Sequence, residues 1–169
     1  MTPLRRKPKI PAYKGTGGRQ LRIYADTSVI GGCFDAEFKQ ASLKLFDRIQ
    51  EGRFTLVLSG TTLEELDQAP ARVQRMVKAL PQWAVERVFL TREMETLRDA
   101  YISAGVVAES SLYDAEHIAS ATVADVDVIL SWNFKHIVNF DRIRGYHAVN
   151  LFRGYHQIPI HAPAEVIEP

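Results

Sequence analysis

Four side chains combine oxygen chemistry with a telling placement: Asp26, Glu65, Asp114 and Asn133. Asp26 stands in Tyr24-Ala25-Asp26-Thr27-Ser28, and Glu65 in Thr61-Thr62-Leu63-Glu64-Glu65-Leu66. Asp114 follows Ser111-Leu112-Tyr113, and Asn133 closes Ser131-Trp132-Asn133. Carboxylates with an amide oxygen are a ligand set for hard divalent ions such as Mg²⁺ or Mn²⁺, which take one or two carboxylates plus waters and phosphate oxygens. A cation so held acidifies a bound water and neutralises charge on a phosphodiester.

Each residue also has a structural reading. Asp26 can cap a following helix. Glu65 with Thr62, and Asp114 with Ser111, fit the spacing of a capping box, and the helix dipole favours a carboxylate in a first turn. Asn133 after a strand is ordinary turn chemistry. Asp114 lies four residues before Ile118 and seven before Ala121, so it borders an apolar helical face. Partial burial there calls for a partner or a cation. His117, three residues after Asp114, lies on the same side of the helix, where it either orients a ligand or packs with one hydrogen bond. Trp132 and Phe134 either stack on a nucleobase or join the core. The other histidines show no zinc spacing.

The elements that must position these groups alternate. Leu21–Ala25 reads as a strand ending at Asp26, after which Gly31 and Gly32 loosen the chain. Phe38–Gln50 reads as a helix ended by Gly52. Phe54–Leu58 is a nearly continuous apolar run, as expected of a strand covered on both faces. Helices follow from about Thr61 to Gln68, from Pro70 to about Leu80, from Thr91 to Ala104 with Gly105 as stop, and from Leu112 to about Ala124. Val126–Leu130 reads as a third buried strand, with a short helix after Asn133 and a last strand near Ala148–Leu151. Such alternation predicts an α/β fold with a parallel sheet covered on both faces. Chemistry in such folds gathers beyond the carboxyl ends of the strands, where Asp26, Glu65 and Asn133 fall, with Asp114 at a helix start.

The chain of 169 residues suits one domain. Its net charge of +1 conceals a split. Residues 1–20 carry Arg5, Arg6, Lys7, Lys9, Lys14 and Arg19 without an acid, leaving 15 basic and 20 acidic residues elsewhere. Residues 1–20 therefore read as a flexible basic arm, able to hold phosphates or simply solvated. Residues 21–153 form the body, and 154–169, with Pro159 and Pro163, an extended tail. No run of eighteen apolar residues exists, so no membrane span is expected. A single cysteine, Cys33, excludes an internal disulfide framework and fits a reducing cytoplasm.

Taken in order, Ala25-Asp26-Thr27-Ser28, Leu58-Ser59 followed by Glu65-Leu66, Asp114-Ala115-Glu116-His117-Ile118-Ala119, and the strand ending in Ser131-Trp132-Asn133 resemble a PIN domain. The match runs from about Leu21 to Leu151 and is most similar to the VapC-type branch, whose members are often toxins of type II toxin–antitoxin pairs. Order and spacing carry it, since each motif alone is short. The resemblance implies a three-layer α/β/α sandwich and a Mg²⁺- or Mn²⁺-dependent ribonuclease, with an RNA substrate, a cognate antitoxin and a homodimer as partners. Asp26, Glu65 and Asp114 match the first three acids, as metal ligands and catalytic residues. Glu64 competes with Glu65, which the spacing from Ser59 and the following Leu66 favour. Thr27 or Ser28 matches a hydroxyl beside the first acid. The departure is Asn133, where the family usually has aspartate in a Thr-x-Asp pattern. An amide oxygen can still ligate a cation but brings no charge, so a PIN-like protein that binds RNA or a partner without cleaving is the alternative. A haloacid-dehalogenase-type phosphatase would want an acid at position 28, which is Ser28, and no G-x-G-x-x-G follows the first strand.

Overall fold

A computed structural model describes residues 20–167. The basic-arm reading of residues 1–20 falls, but for Gln20, outside the described residues. In chain order the elements are β1 (Leu21–Ala25), α1 (Thr27–Gly31), α2 (Lys39–Gln50), β2 (Phe54–Ser59), α3 (Gly60–Gln68), α4 (Ala71–Lys78), β3 (Val85–Val88), α5 (Arg92–Ser103), α6 (Leu112–Val123), β4 (Val128–Leu130), α7 (Phe140–Phe152), β5 (Ile160–His161) and α8 (Pro163–Ile167). The strands form one sheet in the order β3-β2-β1-β4-β5. Every pairing is parallel: Tyr24 lies opposite both Val57 and Ile129, Ser59 opposite Val88, and Leu130 opposite His161.

Alternation along the strands builds the three layers, because successive side chains of a strand leave opposite faces. Ile23, Ala25, Leu56, Leu58, Val128 and Leu130 point into one core, shared with Leu45, Phe46 and Ile49 of α2 and Val73 and Val77 of α4. Tyr24, Val57 and Ile129 point into the other, shared with Leu97 and Tyr101 of α5, Ala115 and Ile118 of α6, and Tyr146 of α7. Each fully buried aliphatic side chain stabilises by roughly 1.5–3 kcal/mol. Covering both faces explains why Leu56, Val57 and Leu58 of β2 are consecutive apolar residues, all buried. No helix among the described residues is long and apolar enough to cross a membrane.

Several local expectations change. Residues 148–151, read as the last strand, lie inside α7. Four residues of mixed polarity fit either period, and Tyr146 and Asn150, four apart and both buried, belong to a helical face. Asn150 is tied there by the Tyr101 hydroxyl at 2.5 Å. The fifth strand instead comes from the segment read as an extended tail, which also supplies α8, packed on α2. Residues 134–137 form turns, and no helix starts before Phe140. Gly31 and Gly32 do not loosen the chain: Gly31 ends α1, and Gly32 begins a 3-10 turn to Phe34. β3 gave no signal in the sequence, being a four-residue edge strand bearing Glu86 and Arg87.

Candidate active site

Asp26 occupies the first position beyond β1, with its backbone N–H on the Leu130 carbonyl at 3.4 Å. It holds the N-cap position of α1, yet its side chain caps nothing. Oδ1 accepts from the Ser28 hydroxyl at 2.5 Å, and Oδ2 from the Ser131 hydroxyl at 2.6 Å. Those hydroxyls are themselves held, Ser28 by the Trp132 N–H and Ser131 by the Asn133 N–H, each at 2.9 Å. The ends of β1 and β4 are thus knitted through one carboxylate that is 6% exposed.

Beyond β2, Ser59 caps α3 by accepting from the Thr62 N–H. Glu65 lies further along α3, so it completes no capping box, and its oxygens turn inward. Oε2 accepts from the Thr27 hydroxyl at 2.5 Å and Oε1 from His117 Nε2 at 2.7 Å. Glu64, the rival acid, is exposed. Burial pushes the Glu65 carboxyl up, but the hydrogen bond and charge of His117, with the Thr27 hydroxyl, hold it below its ordinary value. His117 is fully enclosed. Burial pulls its pKa down, yet Tyr24, Glu65 and Asp26 together hold it well above the ordinary value.

Asp114 sits in the first turn of α6, half-buried, and Ser111 offers it no capping box. Its pKa is raised, first by burial and then by the charges of Asp26 and Glu65, with His136 and His117 opposing. Asp114 therefore lies within electrostatic reach of the other two acids. Asn133 Nδ2 donates to Asp114 Oδ1 at 3.1 Å. Its Oδ1 accepts the backbone N–H groups of Lys135 and His136 at 3.1 and 3.0 Å. Backbone amides only donate, so they dictate which end of the amide faces the acids: the nitrogen.

Phe38, Trp132 and Phe134 form the rim. Phe38 stacks on Trp132 at 4.3 Å, Trp132 Nε1 donates to Ser42 at 2.9 Å, and Phe134 stays half-exposed. Of the cations that follow Asn133 in the chain, Lys135 and Arg144 are exposed, Arg144 over the Phe140 ring, while Arg142 is tied to the Val106 carbonyl. Cys33 is buried, its thiol pushed up to about 11 by burial, as befits a packed residue.

Sequence reading brought out the acids but missed Tyr24, Ser59 and Ser131, which hold the acids or their partners. The available signal was Tyr24: a tyrosine centred in a buried strand needs a partner for its hydroxyl.

Among the described residues no three His, Cys, Asp or Glu side chains are gathered into a ready-made metal cage. Mg²⁺ needs none, since it keeps several waters and takes one or two carboxylates. The donor chemistry fits such an ion: the acids are hard oxygen donors, and their mutual repulsion, felt at Asp114, is what a dication relieves.

The fold is a PIN-like three-layer α/β/α sandwich with a parallel sheet. One chain of the crystal structure of VapBC2 from Rickettsia felis, bound to a DNA fragment from their promoter, shares it with a TM-score of 0.53, at 10% sequence identity and covering 84% of this chain and 98% of that one. No protein-family profile and no curated protein matches the sequence.

Proposed function

We propose that this chain is a Mg²⁺- or Mn²⁺-dependent endoribonuclease that hydrolyses RNA phosphodiester bonds, acting as the toxin of a type II toxin–antitoxin pair. The observation that carries the reading is the placement of Asp26 and Glu65 beyond two neighbouring parallel strands, each with both oxygens held by named donors. Asp114 lies within electrostatic reach of both. Carboxylates oriented in this way are preorganised, which is what positioning reactants requires.

In this reading Asp26 and Asp114 hold the cation, and Glu65, more open than Asp26 at 36% side-chain exposure, orients the attacking water. The bound ion supplies charge for the phosphoryl oxygens and acidifies a water. Asn133 holds Asp114 in place. Lys135 and Arg144 hold phosphates without reading sequence. An antitoxin partner is supported by the Rickettsia felis structure, which is of VapBC2 on promoter DNA. A homodimer belongs to the same proposal.

The test is cleavage of a generic RNA with Mn²⁺ and with Mg²⁺. We expect wild-type cleavage and its loss in Asp26→Ala and Asp114→Ala. The reading fails if the wild type never cuts, or if both variants cut equally well. One observation favours a second reading: the amide nitrogen of Asn133 faces Asp114 where the family usually has an acid. RNA affinity without metal-dependent cleavage would select that binding protein.

A further inference from the structure

The carboxylate of Glu65 is the open end of a buried polar chain. Tyr24, in the middle of β1 and 0% exposed, sends its hydroxyl to three partners: Ser59 Oγ at 2.7 Å, Thr62 Oγ1 at 3.2 Å and His117 Nδ1 at 2.6 Å. One donor and two lone pairs meet three partners, so the hydroxyl is saturated. The His117 ring lies edge-on to Tyr24 and passes the connection from Nδ1 to Nε2, which donates to Glu65. This direction holds in either protonation state. A neutral ring accepts from Tyr24 at Nδ1 and donates at Nε2, and a charged ring donates at both.

Such a chain is not required to fill the core. Replacing matched buried polar groups by apolar ones of the same shape is close to neutral for stability. Ser59, Thr62, Tyr24 and His117 are all buried, and the chain reaches solvent only at Glu65. With Thr27 on the other oxygen, the carboxylate cannot rotate without breaking a bond. We propose that Tyr24 and His117 are positioning residues, which fix the Glu65 carboxylate for its work on the attacking water. This rests on the nuclease reading above.

The test compares Tyr24→Phe, His117→Leu and His117→Gln, the last placing an amide N–H where Nε2 stood. Thermal melts establish folding, and Tyr24→Phe, which keeps the ring, carries the test should His117→Leu not fold. Partners that hold a ligand-bearing group in place typically matter by about 10–100-fold. We expect Tyr24→Phe and His117→Leu to lower kcat by roughly tenfold or more with KM within about twofold, and His117→Gln to recover most of the loss. In the metal-free protein, ¹H–¹⁵N correlation of the imidazole should find a proton on Nε2, with a signal that moves in Glu65→Gln. A proton on Nδ1 alone overturns the proposal whatever the activity. Unchanged kcat in folded Tyr24→Phe and His117→Leu, beside a dead Asp26→Ala, overturns the positioning role and leaves the nuclease reading standing. A wild type that cleaves nothing sinks both.

Discussion

Asn133 donates its amide nitrogen to Asp114 at 3.1 Å while two backbone N–H groups claim its oxygen. Aspartate at 133 keeps the backbone bonds with one oxygen and turns the other, charged, toward Asp114. We expect Asn133→Asp to destabilise the metal-free protein by on the order of 1 kcal/mol after solvent screening, with a lower melting temperature. It should tighten Mn²⁺ binding by about tenfold, as a ligand charge beyond those of Asp26 and Asp114 repays the repulsion. Calorimetric titration with and without EDTA pretreatment checks both, and unchanged affinity would remove Asn133 from the metal's surroundings.

The Glu65–His117 pair sets a pH window. The His117 value is raised, so its contribution is complete below 6.5 and disappears as pH climbs through the folded value. The Glu65 value is depressed, so its contribution is present above 4.5 and disappears as pH falls through the folded value. Stability lost in Glu65→Gln should therefore be greatest between pH 4.5 and 6.5, on the order of 1 kcal/mol given the exposure of Glu65. Denaturant unfolding at several pH values measures it, and a loss that grows steadily toward pH 9 would refute the pairing.

Gly32 and Gly31 should respond oppositely to alanine. A Cβ at Gly32 would fall 2.6 Å from Ser42 Oγ and 2.8 Å from Trp132 Nε1, on top of the hydrogen bond between them. Gly32→Ala should destabilise by about 1–3 kcal/mol and disturb Trp132, whose N–H holds Ser28. A Cβ at Gly31 meets nothing within 4 Å, so Gly31→Ala should be neutral or stabilise by up to about 1 kcal/mol. Paired thermal melts decide.

Phe134 is half-exposed directly after Asn133. Stacking of a base on an aromatic ring is worth about 1–3 kcal/mol. Phe134→Ala should raise KM for RNA roughly tenfold with little change in kcat or melting temperature. A fall in kcat with KM constant would place the ring elsewhere in the reaction.

The helices α2 to α6 and the central strands were legible because their signals are local. The apolar run of β2 and the Gly105 stop each lie within a few residues of what they control. β3 and β5 were not, since four and two residues carry no period. Glu86 shows what the pattern hides: it pairs with Arg22 of β1 across the sheet at 2.7 Å, and the two share little but the sheet that joins them.

From its residues alone, this chain declared a parallel α/β sandwich and put Asp26, Glu65 and Asp114 beyond strands or at a helix start. Hydrophobic period and element order are properties of short stretches, so no fold was needed to read them. Which atoms each acid faces was decided only in three dimensions. Ser131 meets Asp26 across 105 positions, His117 meets Glu65 across 52, and Asn133 meets Asp114 across 19. A hydrogen bond between side chains so far apart depends on strand order and helix docking. No local pattern distinguishes an asparagine that offers its oxygen from one that offers its nitrogen.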